Sequence, residues 1–310
     1  MPPAISVPAM GFDVVVIGSV NNDVSVMTPR LPRAGETVIG TRHFFGPGGK
    51  GANQAVAVAR LGGSVGLVAM VGADEMGGSM LEGLADEGVD VSAIGIDPDG
   101  ATGLAVITID SDAENTIVVS PGANQQLTPE HIAGHATAIS EARVVLAQLE
   151  VPLESVEAAA RITKGIFCLN PAPAQPLPTE LLERVDVLVP NRSELSVLRG
   201  NGSIVGNDDV ADVARGLRPQ GPTVVTLGSA GAVLVEGARM RRFQAFAVEA
   251  IDPTGAGDAF CGALAFSLSR GDGLEEAVAF SSAAGAVSVT QAGAQSGMPS
   301  LGQVEALAGA

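Results

Sequence analysis

The chain has 310 residues and a formal net charge of −17, from 34 acids against 17 bases. Hydrophobic residues make up 46% and charged ones 16%, which fills a core and excludes a disordered polymer. So acidic a chain also excludes nucleic acid and anionic membrane surfaces as partners, because both need clustered Lys and Arg. Any phosphate it binds has to be held locally, by backbone amides or a metal ion.

The elements follow in chain order. Residues 12–20 (FDVVVIGSV) are a continuous apolar run closing on a polar turn, the pattern of a parallel strand buried on both faces. Residues 25–45 break that rhythm, with short alternating pieces such as 37–39 after Pro29, Pro32 and Gly35. A helix is predicted over 52–61, stopping at Gly62 and Gly63, and a strand over 65–71. Residues 103–120 read as a hairpin, LAVITID and TIVVS around a polar turn at 111–115. A helix over 128–140 opens on a Thr128-Pro129 cap, and an amphipathic one covers 153–163. Further apolar strands are predicted over 142–149, 165–169, 185–189 and 223–227, and a short one over 246–251.

Strands alternating with helices imply an α/β fold, a doubly wound, mostly parallel central sheet flanked by helices. The two irregular stretches add a small β-layer. One domain over 12–300 with a tail over 1–11 accounts for the chain. Two cysteines, Cys168 and Cys261, make no disulfide framework, and 1–11 has no signal-peptide pattern, so a cytoplasmic setting is expected. The uncharged run 277–304 is too broken by polar residues and Pro to span a membrane.

Polar side chains gather just past the carboxyl ends of predicted strands: Asn21 and Asp23, Glu150, Asn170, Asn191 and Glu194, and the stretch from Thr226 to Gly231. Open α/β sheets build their ligand crevice at that edge. The strongest motif is 252–258, Asp-Pro-Thr-Gly-Ala-Gly-Asp, a glycine turn running into a helix near Asp258. Helix-end amides and the glycines Gly255 and Gly257 make an anion hole. A lone Asp there would be a cap; beside such a hole, Asp258 reads as a general base. The second motif, 46–53 (GPGGKGAN), is neither a Rossmann fingerprint, because it does not follow the first strand, nor a Walker loop, because Gly51 follows Lys50. It reads as a tight turn presenting Lys50, one of only two lysines, and Asn53 to a small polyhydroxyl ligand. His131 and His135 lack the third ligand and the Glu of a zinc helix, and Cys261 reads as core.

Together these residues resemble the ribokinase, or PfkB-type, family of sugar kinases over nearly the whole chain. GGKGAN (48–53) and DPTGAGD (252–258) match its two signatures, and 18–23, 32–37, 146–150, 169–174 and 190–194 resemble its ribose-phosphorylating members. The resemblance implies transfer of the γ-phosphoryl group of ATP to the 5-hydroxyl of D-ribose. Asp258 would then be the base, with Gly255, Ala256 and Gly257 as the anion hole. Asn21, Asn22, Asp23, Gly49, Lys50, Gly51, Asn53, Glu150 and Asp258 would meet the sugar. Asn191, Thr226, Leu227, Gly228, Ser229, Ala230, Gly231, Gly257 and Ser282 would line the nucleotide site, and Glu194 would place Mg²⁺ through water. A monovalent cation, K⁺, is implied near Asp252, Thr254, Ser288, Gln291, Gly293 and Gly297. The family commonly has Ser at the last position, so an oxygen is lost here or replaced by Ser296 or water. The irregular segments at about 24–46 and 101–120 would be the family's lid and the contact of a homodimer. The rivals are another sugar or nucleoside kinase of the family, or a sugar-binding protein on its fold.

Overall fold

Strand β1 (Val14–Ile17) carries four β-branched residues, all buried, and alternates its side chains between two helical layers. Val14 and Val16 join one core cluster; Val15 and Ile17 join another on the opposite face. The computed structural model describes residues 11–309 except 113, 201–206, 218 and 220, so all but Gly11 of the expected tail lies outside the described residues.

The chain continues through β2 (Asn21–Met27), β3 (Arg42–Gly48), α1 (Lys50–Arg60), β4 (Val65–Gly72), α2 (Glu75–Asp86), β5 (Ile94–Asp97), β6 (Gly103–Ile109) and β7 (Asn115–Ser120). Then come α3 (Pro129–Gly134), α4 (Ala136–Glu141), β8 (Val144–Ala147), α5 (Leu153–Ile162), β9 (Ile166–Leu169), α6 (Thr179–Leu182), β10 (Val187–Leu188), α7 (Arg192–Leu198) and α8 (Asn207–Leu217). β11 (Thr223–Thr226), β12 (Ala232–Glu236), β13 (Arg239–Phe243), α9 (Ala256–Ser269), α10 (Leu274–Ser288) and α11 (Leu301–Ala308) complete it.

The large sheet runs β13-β12-β11-β10-β9-β8-β1-β4-β5. It is parallel from β5 to β11, and β12 and β13 add an antiparallel edge. From β1 the chain first builds outwards through β4 and β5, then returns to add β8 on β1's other side. That reversal opens a crevice at the carboxyl ends of β1 and β8. Helices α1, α9 and α10 cover one face, and α3 to α5 the other.

The second sheet, β3-β2-β6-β7, is the small β-layer. β2 starts four residues after β1 ends, so the chain passes straight from the crevice into this layer. The expected hairpin forms, with Leu104 opposite Ser120.

Three expectations change. Residues 37–39 form no strand; Ile39 is 80% exposed, and β2 pairs instead with Arg42–Gly48 beyond a turn in which Glu36 accepts from Arg30 and the Arg33 amide. Residues 246–251 form no strand either; at their end the Ile251 amide, with that of Asp252, donates to Val289 O at the end of α10. The helix over 128–140 divides at His135, just after Gly134, a poor helix former. At the far end, α11 buries Val304 against Leu61 and Phe266, so the packing continues beyond residue 300. No helix among the described residues is long and apolar enough to cross a membrane.

Candidate active site

The 252–258 motif forms the turn its glycines allow. Gly255 is left-handed at φ 80°, and a Cβ there would lie 3.0 Å from Ala294 Cα. Helix α9 opens at Ala256, whose N–H closes the turn onto Pro253 O at 3.2 Å. A Cβ at Gly257, the second residue of this 14-residue helix, would meet nothing within 4 Å, so the backbone there faces open space. Asp258 follows, buried, at its third position.

Helix α1 holds this carboxylate. Asn53 Nδ2 donates to Asp258 Oδ2 at 2.9 Å, and Gln54 Nε2 donates to Oδ1 at 3.0 Å. Two glycines permit the approach. A Cβ at Gly262, one turn past Asp258, would sit 2.6 Å from Ala57 Cβ and 2.8 Å from Gln54 O; one at Gly51 would lie 2.5 Å from Ser19 N. Gly49, at φ 89°, turns the chain out of β3 into α1, so Lys50 begins the helix. Asn53 Oδ1 is buried with no partner and is left for a ligand.

At the carboxyl end of β8, Glu150 Oε2 accepts from Ser19 Oγ at 2.5 Å and from the Lys50 amide at 3.0 Å. Asn21 Oδ1 accepts from Asn124 Nδ2 at 2.8 Å. Asp23 is pushed up to about 7, first by burial and then by the charges of Glu150 and Asp258, with Lys50 opposing. Its Oδ1 is also buried without a partner. The Lys50 ammonium is held charged above its ordinary range, foremost by Asp258, then by Glu150 and Glu194, against burial. Asp23, Lys50, Glu150 and Asp258, 235 positions apart in sequence at the extremes (258 − 23), therefore share one electrostatic site. Asn22 departs from expectation: the pleat puts it on the opposite face of β2 from Asn21 and Asp23.

The family model of the pfkB family carbohydrate kinases matches residues 12–301. The chain belongs to that family. A ribokinase of Haemophilus influenzae is 38% identical over 289 residues, covering 92% of this chain and 94% of its own. A deoxyribokinase of Salmonella typhi is 35% identical over 298 residues, covering 94% and 97%. The solved structure of an Arabidopsis thaliana ribokinase complexed with ribose and ATP has a TM-score of 0.87 and 32% identity, covering 96% of this chain and 99% of that one.

In this pfkB-family kinase the remaining expected residues follow strands β10 and β11 or lie in α10 and the segments beside α9. Asn191 and Glu194 form the capping box of α7: Glu194 N donates to Asn191 Oδ1 at 2.8 Å, and Asn191 N donates to Glu194 Oε2 at 2.7 Å. Burial pushes the Glu194 carboxyl up, while the Asn191 amide and the Lys50 charge pull it back. Asn191 bridges to Thr226, after which Leu227, Gly228, Ser229 and Ala230 make a short turn closed by Gly231 at φ 85°. Ser282 lies in α10 and bonds back to Val278 O.

Asp252 accepts from the Thr254 and Gly293 amides at 2.9 and 2.8 Å. Burial alone would raise its carboxyl; the Thr254 hydroxyl first, then those amides, outweigh it and hold it below the usual range. A Cβ at Gly297 would lie 2.8 Å from Gly293 O and 2.9 Å from Ser288 O, so carbonyl oxygens converge where a side chain would otherwise stand. The Ser296 hydroxyl is engaged, donating to Ala292 O at 2.6 Å.

Motif reading missed Ser19, Gln54, Asn124 and Gln148, all buried. The available signal was a polar residue inside an apolar run, as in NQAVAVA and VVLAQLE.

Proposed function

We propose that this chain transfers the γ-phosphoryl group of ATP to the 5-hydroxyl of D-ribose. One observation carries the reading: the Asp258 carboxylate is fixed at the first turn of α9 beside an open glycine turn, and Asp23, Lys50, Asn53 and Glu150 converge on it. The names of the relatives, ribokinase among them, agree with it.

Asp258 takes the proton of the attacking hydroxyl, which makes that oxygen a competent nucleophile as it meets the phosphorus. The amides of the 255–257 turn and the positive end of α9 stabilise charge on the phosphoryl oxygens. Asn53 Oδ1, Asp23 and the Glu150 oxygen not engaged by Ser19 accept sugar hydroxyls, and Lys50 donates. Asn21 and the glycines Gly49 and Gly51 shape this pocket. Asn191, the turn from Thr226 to Gly231 and Ser282 hold the nucleotide.

Four carboxylates, Asp23, Glu150, Glu194 and Asp258, face one ammonium, Lys50, before any ATP arrives. That imbalance fits a hard cation, and the Glu194 oxygens suit one that keeps its waters. Mg²⁺ bound there would neutralise phosphate charge. The carbonyls converging at Gly297, with Ser288, Gly293, Gln291, Thr254 and Asp252 around them, fit a weakly hydrated cation such as K⁺ without a Ser oxygen.

The small sheet is the lid over the sugar, formed by segments at about 24–46 and 101–120, on one domain over 12–300. Its outer face carries Phe45, Val106 and Val118, which are 61%, 40% and 69% exposed and aligned through Val24. An apolar face of that kind on a charged chain suits a homodimer through the lid. Free, buried Cys168 and Cys261 fit a reducing, cytoplasmic setting.

The test measures ADP release from Mg²⁺-ATP with ribose, 2-deoxyribose, fructose, adenosine and uridine, each with and without K⁺. Ribose should be preferred and K⁺ should stimulate. A preference for 2-deoxyribose would keep the chemistry and move the specificity to that of the Salmonella relative. Asp258→Asn should lower kcat about 10²–10⁴-fold with ribose binding retained; near-full turnover would remove Asp258 from the base role.

A further inference from the structure

Gln54, the neighbour of Asn53 on α1, bonds Asp258 but meets neither sugar nor nucleotide. Gln54 is fully buried on a helix whose other inward residues are mostly Gly, Ala and Val. A buried amide must partner two N–H groups and a carbonyl oxygen or leave the fold with an unpaired polar group. Gln54 partners all of them within the crevice. Its Nε2 donates to Asp258 Oδ1 at 3.0 Å and to Asn170 Oδ1 at 3.3 Å, and its Oε1 accepts from Gln148 Nε2.

Asn170 is held by a further hydrogen bond and Gln148 by packing, its buried Oε1 having no hydrogen-bond partner. Asn170 Nδ2 donates to Val189 O at 2.9 Å. Gln148 is fully buried, and its Oε1 is pressed against Gly18, where a Cβ would come within 2.0 Å of it. The orientation of Gln54 follows. Turned over, its oxygen would face the oxygens of Asp258 and Asn170, and its N–H groups would face those of Gln148.

We propose that Gln54 is a positioning residue for phosphoryl transfer. It sets the rotation of the Asp258 carboxylate, and Gln148 and Asn170 hold Gln54 in turn. The proposal rests on Asp258 being the base. The terminal torsion of an Asp side chain is broad, and each carboxylate oxygen offers two acceptor positions. Asn53 takes one on Oδ2 and Gln54 one on Oδ1, so α1 fixes the carboxylate plane at two points. A free acceptor position remains on each oxygen for the hydroxyl proton. Asn53 also faces the sugar; Gln54, buried beneath it, is given to orientation alone.

Gln54→Met keeps the length of the side chain and removes the amide. It should lower kcat by about 10- to 100-fold, the scale on which a misplaced reacting group costs rate, with ribose KM and calorimetric Kd within about twofold of the parent. Placed on Asp258→Asn, the same change should alter the residual turnover by less than about twofold, because no carboxylate is left to orient. Parent-like kcat with a lowered Tm overturns the proposal and leaves Gln54 a core amide. Equal losses on both backgrounds overturn it too. Should Gln54→Met fail to fold, Gln148→Met removes the support one bond further out: a several-fold lower kcat at unchanged KM is expected, and an unchanged kcat overturns the proposal. Full turnover by Asp258→Asn sinks the base role itself, so the two failures read differently.

Discussion

Asp23 shows how the crevice's charge acts through single residues. Its carboxyl titrates near 7 in the folded chain against an ordinary value of 3.8, because burial and two neighbouring carboxylates disfavour the anion. With the folded value above the unfolded one, the native state binds the extra proton between them. The residue's contribution to stability therefore falls as pH rises from about 4 and levels off near 7. Asp23→Asn removes the penalty. Its Tm advantage over the parent should widen from pH 5 to 7 and then stay constant; a pH-independent difference would show that the carboxyl is not held up. The elevated Asp23 also suits its proposed partner, since sugar hydroxyls donating to its unpartnered Oδ1 favour the ion that the empty site disfavours.

The site depends on elements that approach more closely than ordinary side chains allow. Helices α1 and α9 meet at Gly262, and that contact brings Asp258 within reach of Asn53 and Gln54. Gly262→Ala puts a methyl 2.8 Å from the Gln54 carbonyl, which belongs to backbone that cannot rotate away. The helices must part, at a cost of about 1–3 kcal/mol for overpacking. Thermal unfolding should record the loss, and kcat should fall by more than ribose affinity. A variant with parent-like kcat would show that Asp258 tolerates the displacement. Element identity was largely legible: apolar runs gave the parallel strands, and the glycine turn announced α9. The failures were those of partner choice. Residues 246–251 look like a strand, yet the Ile251 amide goes to the end of α10, and 37–39 lost β2 to the segment beginning at Arg42. Local pattern does not show which donor finds which acceptor.

On the scale of the whole molecule, the small sheet proposed as a lid carries exposed apolar residues on its outer face. Val118 stands 69% exposed there on edge strand β7, in register with Val106 on β6. Val118→Lys places a charge on the outer face of the proposed dimer contact without touching the crevice. Sedimentation should show the parent as a dimer and the variant as a monomer; a parent that sediments as a monomer would discard the contact. The same fold reconciles a net charge of −17 with a polyphosphate substrate. In the proposed function phosphate would be met by helix-end amides at α9 and by cations held among carboxylates and carbonyls, so no basic surface would be needed.

The sequence by itself determined the α/β class, the family and the two glycine turns, and it marked the polar residues at strand ends that the proposed site uses. Those follow from local patterning: runs of apolar residues, glycines where backbone must turn or close in, and carboxylates placed just after strands. Only the tertiary structure decided that Gln54 and Gln148, 94 positions apart, form one amide relay ending on Asp258, that Asn22 turns away while Asn21 and Asp23 stay, and that carbonyls crowd the space a side chain at Gly297 would fill. The reason is physical. Which buried amide meets which oxygen is set by how closely α1, α9 and β8 pack, and that distance is a property of the assembled core rather than of any one segment.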